Sequence, residues 1–155
     1  MRIRHATVDD IPALGDVHVE SILGSAGTHY SAERIVVWAH PRSAAAWRAR
    51  IEAGHLYVAE IDGTIVGFGD VDLTAGIVKA VYVDPDFGRR GVGSALLATL
   101  EADARASDVH TLQLDASLNA AAFYIDRGFE ATATVQHRLR DGSDLECVRM
   151  AKVLR

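Results

Sequence analysis

The sequence has a single cysteine, no long apolar run and no excess of basic residues. Cys147 has no second thiol with which to form an internal disulfide. No apolar stretch approaches the ~20 residues that a membrane span needs, and the N-terminus lacks the apolar core of a signal peptide. The formal net charge of −5 provides no basic footprint for nucleic acid or an anionic membrane surface. We therefore expect a cytoplasmic protein that binds neither nucleic acid nor membrane.

Metal-binding and covalent-nucleophile patterns are also missing. The seven histidines occur at no paired metal-ligand spacing, and Cys147 has no partner motif. No glycine-serine-glycine elbow is present, and no cysteine lies in a motif that places a base beside it. We therefore expect no structural metal and no covalent enzyme intermediate.

The hydrophobic pattern predicts one α+β domain spanning residues 1–155. The chain has 49% hydrophobic and 24% charged residues, which is ordinary for a soluble globular domain. The strands do not alternate strictly with helices, as they would in a Rossmann sheet. The predicted order is a strand at 2–5, helices up to residue 54, three strands between 55 and 83, a helix from 91, a strand at 109–115, a helix ending at 127 and a hairpin between 129 and 153.

Small and polar residues predict several boundaries between these elements. Gly24–Tyr30 is predicted to break the first helix. Asp62 and Gly63 predict a tight hairpin. Ser117 or Asn119 is predicted to cap the last helix. Gly67 and Gly69 lie in the strand that follows the hairpin at Asp62 and Gly63, and they indicate a bulge or the close approach of another group.

The segment Val81–Leu97, VYVDPDFGRRGVGSALL, joins a buried strand to a helix through a basic, glycine-rich turn. We call residues 88–94 (GRRGVGS) the glycine loop. Because amides at a helix N-terminus lack intrahelical partners and glycine has no Cβ, this loop is suited to bind an anion. Arg89 and Arg90 add two cations. A plain connection with solvated arginines is the structural alternative.

Two common phosphate motifs fit the glycine loop poorly. A P-loop needs lysine where Gly93 stands, directly before Ser94. A dinucleotide fingerprint needs a third glycine at Leu96, and its strand runs almost directly into the first glycine. Here seven residues separate Val83 from Gly91.

The glycine loop resembles the coenzyme A pyrophosphate loop of the GNAT acetyltransferase superfamily. The family pattern is Gln or Arg, two residues, Gly, one residue, then Gly or Ala, and residues 88–93 occupy these six positions. Gly88 departs from the pattern because it lacks the long polar side chain. The resemblance implies acetyl-CoA as cosubstrate, bound by Val81, Val83, Gly88, Arg89, Arg90, Gly91, Val92, Gly93, Ser94, Asn119 and Phe123.

A second stretch, Leu114–Glu130, is similar to the same family, with Asn119, Phe123 and Tyr124 at matching positions. The resemblance implies that Asn119 contacts the pantetheine arm and that the Tyr124 hydroxyl approaches the thioester sulfur. A phenol can protonate the departing thiolate, so Tyr124 is the predicted catalytic residue. The structural alternative makes Asn119 a helix cap and Tyr124 a core residue.

The resemblance also implies a fold and an oxyanion site. The expected fold is a mostly antiparallel sheet of six to seven strands, with a splayed parallel pair and four to five flanking helices. The strand Ile77–Val83 would splay from the strand that ends near Asp115. Backbone donors near Val81 and Val83 would then stabilise the oxyanion.

A general base is the weakest part of the sequence prediction. Ile77 occupies the strand position where some family members carry a catalytic glutamate. Four other groups could reach a shared cleft, although a structural role is favoured for each of them; these are Glu20, Asp70, Asp72 and His137.

The predicted function is direct transfer of an acetyl group from acetyl-CoA to a primary amine of a small molecule. The segment Gly24–Pro41, with His29, Tyr30 and Trp38, is predicted to select the acceptor. A noncatalytic acyl-CoA-binding module of the same fold is the alternative, because Ile77 and Gly88 depart from the family pattern. A homodimer is expected by family analogy only.

Overall fold

The computed structural model describes residues 1–155, and all of its strands belong to one seven-stranded sheet. The strands are β1 Arg2–His5, β2 Leu56–Ile61, β3 Thr64–Asp72, β4 Ile77–Val83, β5 Thr111–Ser117, β6 Glu130–Arg138 and β7 Asp144–Val153. Their spatial order is β1-β2-β3-β4-β5-β7-β6, and every pair is antiparallel except β4 with β5. The predicted α+β fold is confirmed, including its splayed parallel pair.

Five helices cover the two faces of the sheet. They are α1 Ile11–Ser25, α2 Ala32–Trp38, α3 Ala44–Ala53, α4 Val92–Ala106 and α5 Ala121–Ile125. On one face, α1 and α3 enclose an apolar cluster that includes Leu14, Trp47 and Phe68. On the other face, α4 contributes Leu96 and Leu100 to the largest cluster. None of these helices is both long and apolar enough to cross a bilayer.

The glycines of β3 let α4 pack directly on the sheet. A Cβ at Gly67 would stand 3.0 Å from Val92 Cγ1 and 3.1 Å from Leu96 Cδ1. A Cβ at Gly69 would lie 3.3 Å from Leu100 Cδ1. Any side chain at these positions would therefore crowd α4, which begins within the glycine loop. The close approach predicted for these glycines is confirmed.

Several boundaries differ from the sequence prediction, and two of the differences have a clear local reason. Helix α1 continues through Gly24 to Ser25, because Gly24 serves close packing instead of a turn: a Cβ there would collide with the ring of Pro85. Strand β5 starts at Thr111, since the Val109 amide donates to the Ala104 carbonyl (2.9 Å) and so belongs to the end of α4.

The predicted cap of the last helix is wrong. Residue Ala120 stands at the N-cap of α5, with no side-chain hydrogen bond. Ser117 is the last residue of β5, paired with Cys147. The Asn119 side chain points elsewhere and donates to Ser25 Oγ (3.3 Å).

Candidate active site

A cleft of about 480 Å³ opens where β4 and β5 diverge. The two parallel strands are paired only at Ile77 and Gln113, and beyond this point they separate toward the glycine loop. The walls of the cleft come from both strands, from α1, α5 and the β6–β7 hairpin. A ligand in this cleft can therefore contact backbone groups of the strands and side chains of the helices and the hairpin.

Backbone groups of β4 point into the gap. The Asp84 amide donates to the Val66 carbonyl (2.8 Å). By the alternation of an antiparallel ladder, Tyr82 is bonded toward β3, and Val81 and Val83 turn their peptide groups away from it. The gap therefore presents unpaired N–H donors at Val81 and Val83.

The opposite wall of the gap follows the same rule. The Leu154 amide donates to the His110 carbonyl (2.8 Å). Every second residue of β5 counted from His110 is therefore bonded toward β7. Asp115 and Ser117 consequently turn their peptide groups toward β4. Two strand edges thus face one another across the cleft without bonding.

The glycine loop ends in a helix N-terminus with open amides. Gly91, with φ +79°, is the N-cap of α4, so a left-handed residue turns the chain into the helix. The amides of Val92, Gly93 and Ser94 have no acceptor within the chain. Arg89 is exposed and also has a positive φ, of 60°. This arrangement can bind an anion.

The backbone of Gly88 does not require glycine, and the two arginines of the loop are free of ion pairs. Gly88 has an ordinary extended conformation (φ −63°, ψ 152°), so its lack of a side chain is not imposed by the backbone. Arg90 is exposed, and its guanidinium lies over the Phe87 ring at 5.2 Å. Arg89 and Arg90 form no ion pair within the chain, so both are free to meet a phosphate.

Arg127, which the sequence analysis missed, joins α5 to the glycine loop. Its Nε donates to Ser94 Oγ (2.9 Å) and its Nη1 donates to the Phe123 carbonyl (2.9 Å). The guanidinium also lies 3.8 Å from the centre of the Phe123 ring. Phe123 in turn packs on Gly93, where a Cβ would stand 3.0 Å from the ring. The predicted residues Ser94 and Phe123 are thus brought together, but the Ser94 hydroxyl is already engaged by Arg127.

Asn119 and Tyr124 line the same cleft. Asn119 Oδ1 is buried without a hydrogen-bond partner. Tyr124 is buried at 6% exposure, and burial raises the pKa of its hydroxyl above the ordinary value. The Tyr124 hydroxyl makes no hydrogen bond within the chain, which leaves it free for a group in the cleft. A phenol with a raised pKa stays protonated and remains a donor.

Of the four predicted base candidates, His137 alone borders the cleft. Asp70 is held by Arg50, whose Nε donates at 2.6 Å. Asp72 accepts from the Ala75 amide in a turn (3.0 Å). Glu20 is exposed on α1. The structural role favoured for the three acids is consistent with these contacts.

His137 belongs to a polar cluster that spans three strands. Its Nε2 lies 2.6 Å from Asp115 Oδ2. Arg149 donates from Nε to Asp115 Oδ1 (2.8 Å) and from Nη2 to Oδ2 (3.1 Å). The Arg149 guanidinium, followed by His137, holds the pKa of Asp115 below its usual value. Asp115 is therefore a fixed carboxylate beneath the imidazole.

The predicted acceptor segment is attached to the sheet by Tyr30. The Leu118 amide donates to the Tyr30 hydroxyl (2.8 Å), which donates to the Glu146 carbonyl (2.6 Å). Trp38 lines the cleft and lies edge-on to Tyr30, with ring centres 5.6 Å apart. His29 is exposed, and its side chain pairs with the hydroxyl of its neighbour Thr28.

Comparison with known proteins places this geometry in a family. The acetyltransferase (GNAT) domain matches residues 27–154. The chain is 29% identical over 130 residues to the uncharacterized N-acetyltransferase YafP of Escherichia coli, covering 84% of this chain and 81% of YafP.

Two crystal structures are similar along nearly the whole chain. A GCN5-related N-acetyltransferase from Rhodopseudomonas palustris is 31% identical with a TM-score of 0.88, covering 99% of this chain and 95% of that one. The putative acetyltransferase yncA of Salmonella typhimurium, determined with its cofactor acetyl-CoA, is 25% identical with a TM-score of 0.72, covering 100% and 94%. The family match, the fold and the glycine loop agree: the chain is an acetyltransferase of the GNAT family.

Proposed function

We propose that this chain transfers the acetyl group of acetyl-CoA to a primary amine of a small molecule by direct attack. The observation that carries the proposal is the gap between β4 and β5. Unpaired strand amides, the open amides of the glycine loop and the free hydroxyl of Tyr124 all border or adjoin it. Acetyl-CoA in the yncA structure supports the choice of cosubstrate.

The residues present fit coenzyme A along this path. The amides of Val92, Gly93 and Ser94, with Arg89 and Arg90, would hold the pyrophosphate. The peptide groups of Val81 and Val83 would pair with the pantetheine amides as a partial β-ladder. Asn119 Oδ1, buried and unpartnered, would accept a hydrogen bond from the same arm.

The chain's own groups would act on the thioester in a defined order. The thioester supplies an activated acetyl carbonyl. The Val81 amide would stabilise the negative charge that develops on the carbonyl oxygen as the amine adds. The Tyr124 hydroxyl, which its raised pKa keeps protonated before the reaction, would give its proton to the sulfur as negative charge develops there.

The charge of the cleft favours an acceptor that carries a carboxylate beside its amine. Three cationic side chains, Arg42, Lys79 and Arg138, line the cleft. Its single acid, Asp115, is neutralised by Arg149. A polyamine would be repelled by this wall, whereas an amino acid would be attracted.

A thiol-release assay on a panel of amines, run beside calorimetric titration with coenzyme A, tests the proposal. The panel pairs phenylalanine with phenethylamine, which lacks the carboxylate. We expect coenzyme A binding and turnover, with a higher kcat/KM for the amino acid. Higher kcat/KM for phenethylamine would contradict the acceptor class.

The Tyr124→Phe variant separates catalysis from binding. We expect it to bind coenzyme A as the wild type does and to lose roughly 10²-fold in kcat. Tight binding with no turnover of any amine by the wild type would favour the noncatalytic acyl-CoA-binding module. Absence of coenzyme A binding would refute both functions.

Three further predictions complete the proposal. We propose that residues 1–155 act as one domain, that the protein works in the cytoplasm and that it forms a homodimer. Light scattering at several protein concentrations tests the dimer. A monomeric mass over the whole range would contradict it.

A further inference from the structure

We propose that His137 is the general base of the acetyl transfer and that Asp115 and Arg149 are its positioning residues. The inference rests on the proposed function, and it supplies the base that Ile77 cannot provide. It assigns a role to a polar cluster that has no part in the binding of coenzyme A or in the proton transfer from Tyr124 proposed above.

The geometry fixes which imidazole nitrogen is available. Nε2 lies 2.6 Å from the carboxylate of Asp115, and in the neutral ring a carboxylate partner selects the tautomer that carries hydrogen on Nε2. Nδ1 then holds the lone pair and has no hydrogen-bond partner within the chain. His137 borders the main cleft and also a smaller cavity of about 200 Å³ beside it. A base at this position can exchange protons with both cleft and solvent.

Asp115 is prevented from turning away by Arg149. Two Arg149 nitrogens donate to the two Asp115 oxygens (2.8 and 3.1 Å). The fork geometry fixes the plane of the carboxylate. Opposite charge at Arg149 also keeps Asp115 ionised, which lowers its pKa. The carboxylate can therefore stabilise an imidazolium at His137 throughout the physiological pH range.

The register of the sheet places this cluster on the acceptor side of the expected acetyl position. Ile77 is level with Gln113, so Lys79 is level with Asp115 and Val81 with Ser117. The Val81 amide is the proposed oxyanion donor. Asp115 and His137 therefore lie two residues farther along the gap from the glycine loop, where an amine approaching the acetyl carbon must pass.

Other titratable groups around His137 are poor bases. The Cys147 thiol is buried, and burial raises its pKa to about 11. Lys79 on β4, like Arg138 and Arg149, carries hydrogen-bond donors and no acceptor at its charged end. Asp115 is occupied by Arg149 and His137. Nδ1 of His137 is thus the free acceptor of the cluster.

The proton balance of the step closes. Neutral His137 takes one proton from the substrate ammonium at Nδ1, and the freed amine forms a C–N bond with the acetyl carbon. The C–S bond then breaks, and the thiolate takes the Tyr124 proton. The second proton lost by nitrogen restores Tyr124 through water, and His137 releases its proton to solvent.

The test compares His137→Gln, Asp115→Asn and the control His110→Gln in the full chain. His110 is exposed and does not border the cleft. For an amine turned over by the wild type, kcat/KM is measured between about pH 5.5 and 9, where a histidine base changes charge. We expect His137→Gln to lose roughly 10²-fold or more and to lose the acid limb of the profile. Asp115→Asn should lower kcat more than it raises the KM of the amine, because the imidazole loses the carboxylate that orients it, and His110→Gln should match the wild type.

Two additional readouts distinguish a base from a structural residue. Coenzyme A affinity should remain within about twofold in His137→Gln, because the cluster lies away from the glycine loop. Imidazole added to His137→Ala should restore part of the rate. An unchanged acid limb in His137→Gln, or a slow His137→Ala variant that imidazole does not rescue, would overturn the inference. If the wild type acetylates no amine, the proposed function fails and the base assignment fails with it.

Discussion

A substitution pair at Gly91 tests the anion site at the start of α4. Gly91 has φ +79°, and a Cβ there would meet no protein atom within 4 Å. Asparagine and aspartate tolerate this left-handed conformation better than other residues, and they are nearly identical in shape. Gly91→Asn and Gly91→Asp should therefore share any backbone strain and differ mainly in charge.

The magnitude follows from Coulomb's law. Two unit charges 5 Å apart at an effective dielectric constant of about 20 interact by about 3 kcal/mol. The site is open to solvent, and physiological salt screens it. We therefore expect the aspartate to weaken coenzyme A binding by about 2 kcal/mol relative to asparagine, which is about 30-fold in Kd.

Isothermal titration of both variants with coenzyme A measures the difference, and circular dichroism checks that both are folded. Raising the salt concentration should narrow the gap between them. Equal affinities in two folded variants would refute the placement of the pyrophosphate at these amides.

Three other substitutions test parts of the same structure. Gly93→Ala places a Cβ 3.0 Å from the Phe123 ring and should lower the free energy of unfolding by about 1 kcal/mol and weaken coenzyme A binding; its control Gly15→Ala, with open space in α1, should instead stabilise by about 0.5–1 kcal/mol. Arg127→Ala frees Ser94 and the Phe123 ring and should weaken coenzyme A binding severalfold with little effect on the KM of the amine. An equal rise in the Kd of coenzyme A and in the KM of the amine would contradict this role of Arg127. His18 is buried, and burial, followed by Arg42 and Arg50, lowers its pKa to about 4. Its contribution to the free energy of unfolding is therefore fully present above about pH 6.5, and up to about 3 kcal/mol is lost as the pH falls toward 4. Chemical denaturation at both pH values should give a smaller acid loss for His18→Leu than for the wild type, and equal losses would contradict the assignment.

Local signals explain why the fold and the glycine loop were predictable. Asp62 and Gly63 both have positive φ (51° and 78°) in the predicted hairpin. Ser31 accepts from the Arg34 amide at the start of α2, a local contact that serine commonly makes at a helix N-terminus. Such features depend on residues within one turn of each other, so the sequence carries them directly.

The polar cluster at the cleft was not predictable in the same way. Asp115, His137 and Arg149 come from three strands, and their meeting depends on the register of β5 with β7 and of β6 with β7. A shift of one residue would send each side chain to the other face of the sheet. The sequence indicates His137 as a candidate base, but its partners depend on this register and cannot be identified without it.

Arg127 had a signal that the sequence analysis did not use. It lies four residues after Phe123, at the end of the helix that the sequence predicts, and at this spacing a cation can lie over an aromatic ring. Its contact with Ser94, 33 residues away, required the packing of α5 against the start of α4. The sequence predicts Ser117 or Asn119 as a local cap because the cap preference of these residue types is strong, whereas tertiary packing turns the Asn119 side chain toward Ser25.

The hydroxyl of Tyr30 has an evolutionary consequence. One side chain fastens the loop between α1 and α2 to two strand ends through backbone groups, the Leu118 amide and the Glu146 carbonyl. Backbone partners persist whatever residues occupy positions 118 and 146. Substitutions elsewhere in the loop can therefore accumulate without detaching it from β5 and β7.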